Sequence, residues 1–351
     1  MEIKLTGQLV GRRVFITGNT GFTGAWLTLL LQELGATVIG FSRPSPFEPS
    51  TFDLGKIDEL ITHIDGDVSD LVQLEEALAS ASPHYIVHLA AQPIVTAGFT
   101  DPYDTFQSNT VGTLNVLEAH RRTNSQAKIL VVTTDKVYKN VSFSRAYSED
   151  DPLGGLDPYS SSKAAAEMVV TGYRGLEHFK DRIAVVRGGN ILGGGDWSPD
   201  RIVPDFARAA SSGTALRIRN PEAIRPWQHV LDLAGAYVEI LLAFDSGQES
   251  LAAQDWNIGP DPADVLTVQD VLAKIQTAWK PISIELVAAH HAEASTLLID
   301  SSKARTLLGW RPRLSPAETI EWTAAWYKAF YEQSANPVDV TLRQIRDWLA
   351  R

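Results

Sequence analysis

An α/β fold built on a doubly wound parallel sheet, with a smaller α/β lobe attached, is predicted by three features of this 351-residue sequence. Short apolar and β-branched runs alternate with longer helical stretches through the first half. A glycine-rich turn joins the first of these strands to the first helix. Beyond about residue 180 the alternation loosens into glycine and proline clusters. Strand and helix alternating at this length is the pattern of a parallel sheet covered on both faces.

The strands are read at RVFIT (13–17), TVIGF (37–41), around 63–68, YIVHLAA (85–91) and ILVVTT (129–134). Between them the apolar spacing fits helices near 22–34, 70–80, 102–122 and 158–178. Gly35 follows LLLQEL as a C-terminal cap, and Asp157 with Pro158 supplies an N-cap and a first-turn proline. The proline-rich stretch Pro44 to Pro49 reads as an exposed loop after the second strand. Residues 1–180 are expected to form a dinucleotide-binding, Rossmann-type domain. Residues 181–351 are expected to form mainly a substrate-binding lobe that interleaves with it, through GGNILGGGDW (188–197), NPEAIRPWQ (220–228) and GPDPAD (259–264).

Composition narrows the function. The formal net charge of -11, with no Lys/Arg-rich tract, disfavours a nucleic-acid partner. No apolar stretch approaches the roughly 20 residues that span a bilayer, and MEIKLTGQLVGRR lacks a signal-peptide pattern, so no membrane association and a cytoplasmic location are expected. Zero cysteines exclude disulfides, thiolate nucleophiles and cysteine-ligated metals. The eight histidines fall in no metal-ligand spacing, and the adjacent His290 and His291 read as a solvated loop, so no metal is expected.

The turn Gly18-Asn19-Thr20-Gly21-Phe22-Thr23-Gly24 has a direct physical purpose. Positions without side chains let backbone amides approach a pyrophosphate, and the helix N-terminus presents its positive end. Gly18, Thr20, Gly21, Phe22 and Gly24 are therefore candidate cofactor contacts. An acidic residue at the end of the second strand would bind the ribose diol of NAD, but the sequence there is Gly40-Phe41-Ser42-Arg43. Arg43 suits the extra phosphate of NADP, or lies beside the adenine, or faces solvent. Asp67 and Val68 are placed to hold the adenine edge. NAD and NADP both stay open on these residues.

Tyr159 and Lys163 lie four apart in DPYSSSKAAAE, so on a helix they share one face, where an ammonium can lower a phenol's pKa and make a base. They follow a strand ending in Thr133-Thr134-Asp135-Lys136, which sets a hydroxyl and two ionisable groups at the carboxyl edge of the sheet.

In this order, GNTGFTG, HLAAQ (88–92), Asn109-Thr110-Val111-Gly112-Thr113, the set Thr134/Tyr159/Lys163 and Arg187-Gly188-Gly189-Asn190 resemble the extended short-chain dehydrogenase/reductases over nearly the whole chain. Within that family the chain is most similar to the nucleotide-sugar 4,6-dehydratases, and among them to those acting on CDP-glucose. The similarity lies in TTDKVY (133–138), DPLGGLDPYSSSKAAAE (151–167), GGGDWSPDRIVPD (193–205), RPWQHVLD (225–232) and IDSSKARTLLGW (299–310).

The resemblance implies a bound NAD, contacts from Ala90 and Ala91 as well as the glycine turn, and a redox-neutral elimination. Tyr159 would take the proton of the sugar 4-hydroxyl, Lys163 would lower the tyrosine pKa and hold the nicotinamide ribose, and Thr134 would hydrogen-bond the 4-oxygen. Asp135 would protonate the departing 6-hydroxyl. Lys136 stands where dTDP-glucose members carry a glutamate read as the C5 base. It would act likewise only if neutral, or else would pair with Asp135 or Glu167 and position them. Asn190 and Arg225 would contact the diphosphate, with Arg201 and Asn257 near the nucleotide. Trp197 and Trp227 would either stack on base or sugar or pack. A homodimer through the helices near 102–122 and 158–178 is implied as well.

One stretch departs from the family pattern. After HLAAQP a leucine-valine-arginine run, then serine and an aromatic, is usual; this chain has Ile94-Val95-Thr96-Ala97-Gly98-Phe99. The change falls beside the active site and bears on which sugar is accepted. An epimerase or reductase on the same scaffold is the first alternative, and a non-catalytic dinucleotide sensor is the second.

Overall fold

The computed structural model describes residues 7–139, 145–288 and 296–351, so His290 and His291 lie outside the described residues. Its centre is a seven-stranded, all-parallel sheet: β1 (Arg13–Thr17), β2 (Thr37–Ser42), β3 (Thr62–Asp65), β4 (Tyr85–His88), β5 (Lys128–Thr134), β6 (Ile183–Gly188) and β7 (Asp255–Ile258). The order across the sheet is β7-β6-β5-β4-β1-β2-β3. The winding direction therefore reverses between β1 and β4, where the carboxyl ends of neighbouring strands splay and leave a crevice.

The period-2 geometry of the strands divides their side chains between two cores. Val14 and Ile16 of β1, Leu130 of β5, and Ala184 and Val186 of β6 face one core. Phe15, Ile129, Val131, Ile183 and Val185 face the other. The first core is closed by α1 (Phe22–Glu33), packed against helices Val230–Asp245 and Pro337–Leu349. Because α1 is covered on several sides, Ala25 to Leu31 are all buried, which is why its apolar residues run without a polar stripe. The second core is closed by α2 (Leu71–Ala81), α3 (Gly112–Arg122) and α4 (Pro158–Arg174).

Local signals explain the helix ends. Asp70 caps α2 by accepting from the amides of Val72 and Gln73. Asp157 caps α4 by accepting from Ser160, with Pro158 in the first turn. Gly35 takes a left-handed φ of 88° just past α1. The expected helix at 102–122 is interrupted: Pro102–Phe106 leads into a wider π-helical turn at Gln107–Val111 before α3 begins. Asn109 in that turn accepts from the Gln92 amide at 2.8 Å and donates to Ser162 Oγ at 2.9 Å, which ties the loop after β4 to α4. The strand expected at 85–91 ends at His88, because the chain there turns into the crevice.

His88 closes β4 in the interior, between the hydroxyls of Thr17 at 2.7 Å and Thr113 at 3.0 Å. Burial, helped by the Lys163 charge, lowers its pKa to about 3. An unfolded histidine binds its proton near pH 6.5, so the stability gained by keeping His88 neutral is complete above that pH and drains away as pH falls toward 3. The slope is about 1.4 kcal/mol per pH unit for one such group. Denaturant unfolding of His88→Gln from pH 7 to 4.5 should show a pH dependence shallower than that of the parent by about one proton.

Candidate active site

At the carboxyl edge of the sheet, where β1 and β4 part, lies a cleft of about 810 Å³. Its floor begins at the glycine turn. Gly18 has a φ of 80°, and a Cβ there would stand 2.7 Å from the Ala90 amide nitrogen. A Cβ on Gly24 would stand 2.2 Å from the Gly18 carbonyl, so both positions exclude a side chain. Gly21 is the N-cap of α1 and offers no side-chain cap, which leaves the first turn's amides open to an anion. Thr20 bonds Ser42 Oγ at 2.8 Å and the Arg43 carbonyl at 2.9 Å, fixing the turn to the end of β2. Gly18, Thr20, Gly21, Phe22, Gly24, Arg43, Asp67, Val68, Ala90 and Ala91 all line the cleft. Arg43 is half-exposed and lies 3.6 Å from Asp67 and 3.8 Å from Asp104. The proline loop after β2, expected to be exposed, is so only at Pro44, Pro46 and Glu48; Phe47 packs against the core, and the loop walls this end of the cleft.

The reactive groups gather farther along. Thr134 ends β5 and donates to Asp135 Oδ1 at 2.9 Å; Lys136 Nζ stands 3.4 Å from the same oxygen. Asp135 is 1 % exposed, and its other oxygen, Oδ2, has no partner among the described residues. A buried carboxylate oxygen left unsatisfied on the wall of a cleft is costly unless something binding there completes it.

Tyr159 and Lys163 occupy the first two turns of α4 and are both buried. Burial pushes the Tyr159 phenol up to about 12, against the lowering effects of the Thr134 hydrogen bond and the Arg201 charge. Lys163 donates to the Val132 carbonyl at 3.0 Å, and burial lowers it to about 8, opposed by the Glu167 charge. The expected partnership is thus modified: the two side chains share the cleft, yet the groups that lower the phenol are Thr134 and Arg201. The ammonium instead donates to the backbone of β5.

Of the residues expected at the nucleotide and diphosphate, Asn190, Arg201 and Arg225 line the cleft. The Asn190 amide oxygen is buried with no partner among the described residues, and Arg201 lies 3.5 Å from Asp196. Asn257 does not join them. It is fully buried on β7, donating to the Tyr147 carbonyl at 2.9 Å and accepting from Tyr138 Oη at 2.6 Å, so both ends of its amide are consumed by the fold. Trp197 and Trp227 reach the cleft but are held as packing residues. Trp197 donates to Tyr331 and stands edge-on to Trp326 and Phe330, and Trp227 donates to the Leu266 carbonyl. In the divergent stretch, Thr96 donates to Asp200 across the cleft mouth at 2.8 Å, and Gly98 packs on the Tyr159 backbone, where a Cβ would come within 3.3 Å.

The ion pair between Arg187 and Glu167 is not foreseen by spacing. Arg187 Nη2 meets Glu167 at 2.6 Å and Asp255 at 3.1 Å, while Nη1 donates to Tyr138 Oη at 2.9 Å. The sequence does show Arg187 at the head of RGGN and Glu167 one turn beyond Lys163. What it hides is that β6 and α4 bring them together.

A glycine turn under an open helix end, with a buried tyrosine and lysine across the crevice from it, defines a short-chain dehydrogenase/reductase. Residues 15–323 match the family described as GDP-mannose 4,6 dehydratase, and the chain belongs to that family of nucleotide-sugar-modifying enzymes. It is 36% identical over 349 residues to the CDP-glucose 4,6-dehydratase of Salmonella typhimurium, covering 97% of each chain. Among solved structures, it matches dTDP-glucose 4,6-dehydratase from Streptomyces venezuelae with NAD bound at a TM-score of 0.79 and 23% identity, covering 92% of this chain and 100% of that one. It matches UDP-glucose-4-epimerase from Stenotrophomonas maltophila with bound NAD at 0.81 and 20%, again covering 92% and 100%. The last two likenesses concern the fold.

Removing the arginine of the central ion pair strands a buried carboxylate. Arg187→Ala should cost about 3–5 kcal/mol of stability, read as a lowered denaturation midpoint.

Proposed function

We propose that the protein dehydrates CDP-glucose to CDP-4-keto-6-deoxyglucose, using a bound NAD that is regenerated within each turnover. The observation that carries this reading is the buried, unpartnered Oδ2 of Asp135 beside Thr134, Tyr159 and Lys163. Oxidation at C4 alone needs the last three; an acid next to them is needed only when a group leaves.

The residues present fit the cofactor. Gly18, Gly21, Phe22 and Gly24 would receive the pyrophosphate, Lys163 the nicotinamide ribose, and Asp67 and Val68 the adenosine end. Arg43 supports NAD over NADP, because a 2′-phosphate beside it would also face the carboxylates of Asp67 and Asp104. When bound, NAD supplies a hydride acceptor at C4 whose positive ring also favours a phenolate nearby, and a hydride donor at C6 later in the cycle.

Tyr159 Oη then takes the proton of the sugar 4-hydroxyl while Thr134 Oγ1 holds the oxygen. The 4-keto group acidifies the C5 proton. The step needs Lys136 as an amine and Asp135 as a carboxylic acid, forms that differ from the ion pair by one proton moved from Nζ to Oδ1 over 3.4 Å. Lys136 Nζ removes the C5 proton, and the Asp135 carboxyl gives its proton to the 6-hydroxyl, which leaves as water. The pair returns to its starting ionisation. The alternative pairing of Lys136 with Glu167 is disfavoured because Arg187 holds that carboxylate. Arg225, Arg201 and Asn190 suit the anionic diphosphate.

The setting is read as a cytoplasmic homodimer. Among the described residues no helix is long and apolar enough to cross a membrane. Tyr103, Phe106, Leu114 and Met168 expose apolar surface on the 102–122 segment and on α4, the helices expected at a two-fold. An epimerase on this scaffold would return hydride at C4 and would leave Asp135 without a task.

Purified protein with NAD and CDP-glucose in deuterated water should release a sugar lighter by one water, with deuterium at C5. A C4 stereoisomer instead would establish the epimerase. Asp135→Asn should lower turnover by about 10²–10⁴-fold while Tyr159 still supports oxidation, so reduced cofactor should accumulate at 340 nm.

A further inference from the structure

Lys163 sits in the cleft wall at 5% exposure, with the Val132 carbonyl 3.0 Å from its ammonium. A buried cation with a neutral acceptor drifts toward the amine. The charged and titratable groups around it are few. His88, on β4, is kept neutral and senses the Lys163 charge. Tyr159 lies one turn before it on α4, and Asp135, directly after β5, lines the same cleft. Glu167 lies one turn after it on the same helix, 3% exposed, and is the group that opposes the effect of burial.

Glu167 is held with unusual completeness. Arg187 grips it from β6 through Nε at 3.1 and 3.0 Å and Nη2 at 2.6 Å, and Thr133 donates to it from β5 at 2.6 Å. With that many donors it cannot swing toward solvent or rotate onto Lys163 to form a contact pair. It acts at a fixed distance, one helical turn away, and leaves the ammonium's hydrogens free for whatever binds in the cleft.

We propose that Glu167 is a positioning residue for the reaction: clamped by Arg187 and Thr133 one turn beyond Lys163, it holds that lysine in its charged form facing the cofactor site. The inference rests on the role given to Lys163 above. Arg187 supplies the cation that makes burial of this carboxylate tolerable, and Asp255 holds the same guanidinium from β7.

The test reads Lys163 itself as well as activity. Competitive acetylation followed by peptide mass spectrometry gives the pH at which Lys163 becomes a free amine, in the protein with and without NAD. Glu167→Gln should move that midpoint down by about one pH unit, and the alkaline limb of kcat with CDP-glucose should move with it. Glu167→Asp, which keeps the charge, should restore both. If Glu167→Gln does not fold, the double variant Glu167→Gln/Arg187→Met removes the buried pair as a unit and should shift the midpoint downward by less, because a cation leaves with the carboxylate. An unmoved Lys163 midpoint in a folded variant overturns the proposal, whatever happens to turnover. A parent protein that shows the Lys163 titration but leaves CDP-glucose unchanged overturns the functional reading and not this one.

Discussion

Arg187 and Glu167 form the contact on which the arrangement of the site depends. The guanidinium stands on β6 and the carboxylate on α4; Thr133 joins them from β5, Tyr138 from the turn after it, and Asp255 from β7. Five segments are thereby indexed to one another in the interior. Buried ion pairs are poor sources of net stability, because desolvation cancels most of their attraction. Their value here is geometric: a carboxylate that satisfies a fork of donors from two strands admits one register of α4 against the sheet.

Burial then governs the electrostatics. Lifting the Tyr159 phenol to about 12 and lowering Lys163 to about 8 are two results of the same removal of water, which disfavours phenolate and ammonium alike. The site at rest is therefore a poor base. Charges that enter with the ligands complete it, as does the donor that the unpartnered Asp135 oxygen awaits.

Most of the fold was legible because the signals are local. RVFIT coincides with β1, the glycine turn with the start of α1, and the Asp-Pro pair with the start of α4. The break in the 102–122 helix was hidden because QSNTV carries no proline or glycine; the turn is widened by Asn109 bonding to Gln92 and Ser162, partners distant in sequence. The site divides the same way. Glycine positions and the Tyr/Lys spacing can be read along the chain, whereas Asn257 was misplaced because its commitment to Tyr138 and Tyr147 depends on tertiary neighbours. Arg187 was seen as part of a motif and not as the partner of Glu167, for the same reason. The direction in which burial shifts Tyr159 could not be read from a helical spacing that names only its nearest charged neighbour.

The central claim is an elimination in which hydrogen leaves C4 and returns to C6 of the same sugar. CDP-glucose carrying deuterium at C4, turned over in ordinary water with unlabelled NAD, tests it most directly by mass spectrometry and NMR of the product. The product should be a 4-keto-6-deoxy sugar that retains the deuterium on its C6 methyl group. Deuterium found back at C4, or lost to a pool of reduced cofactor, would contradict it.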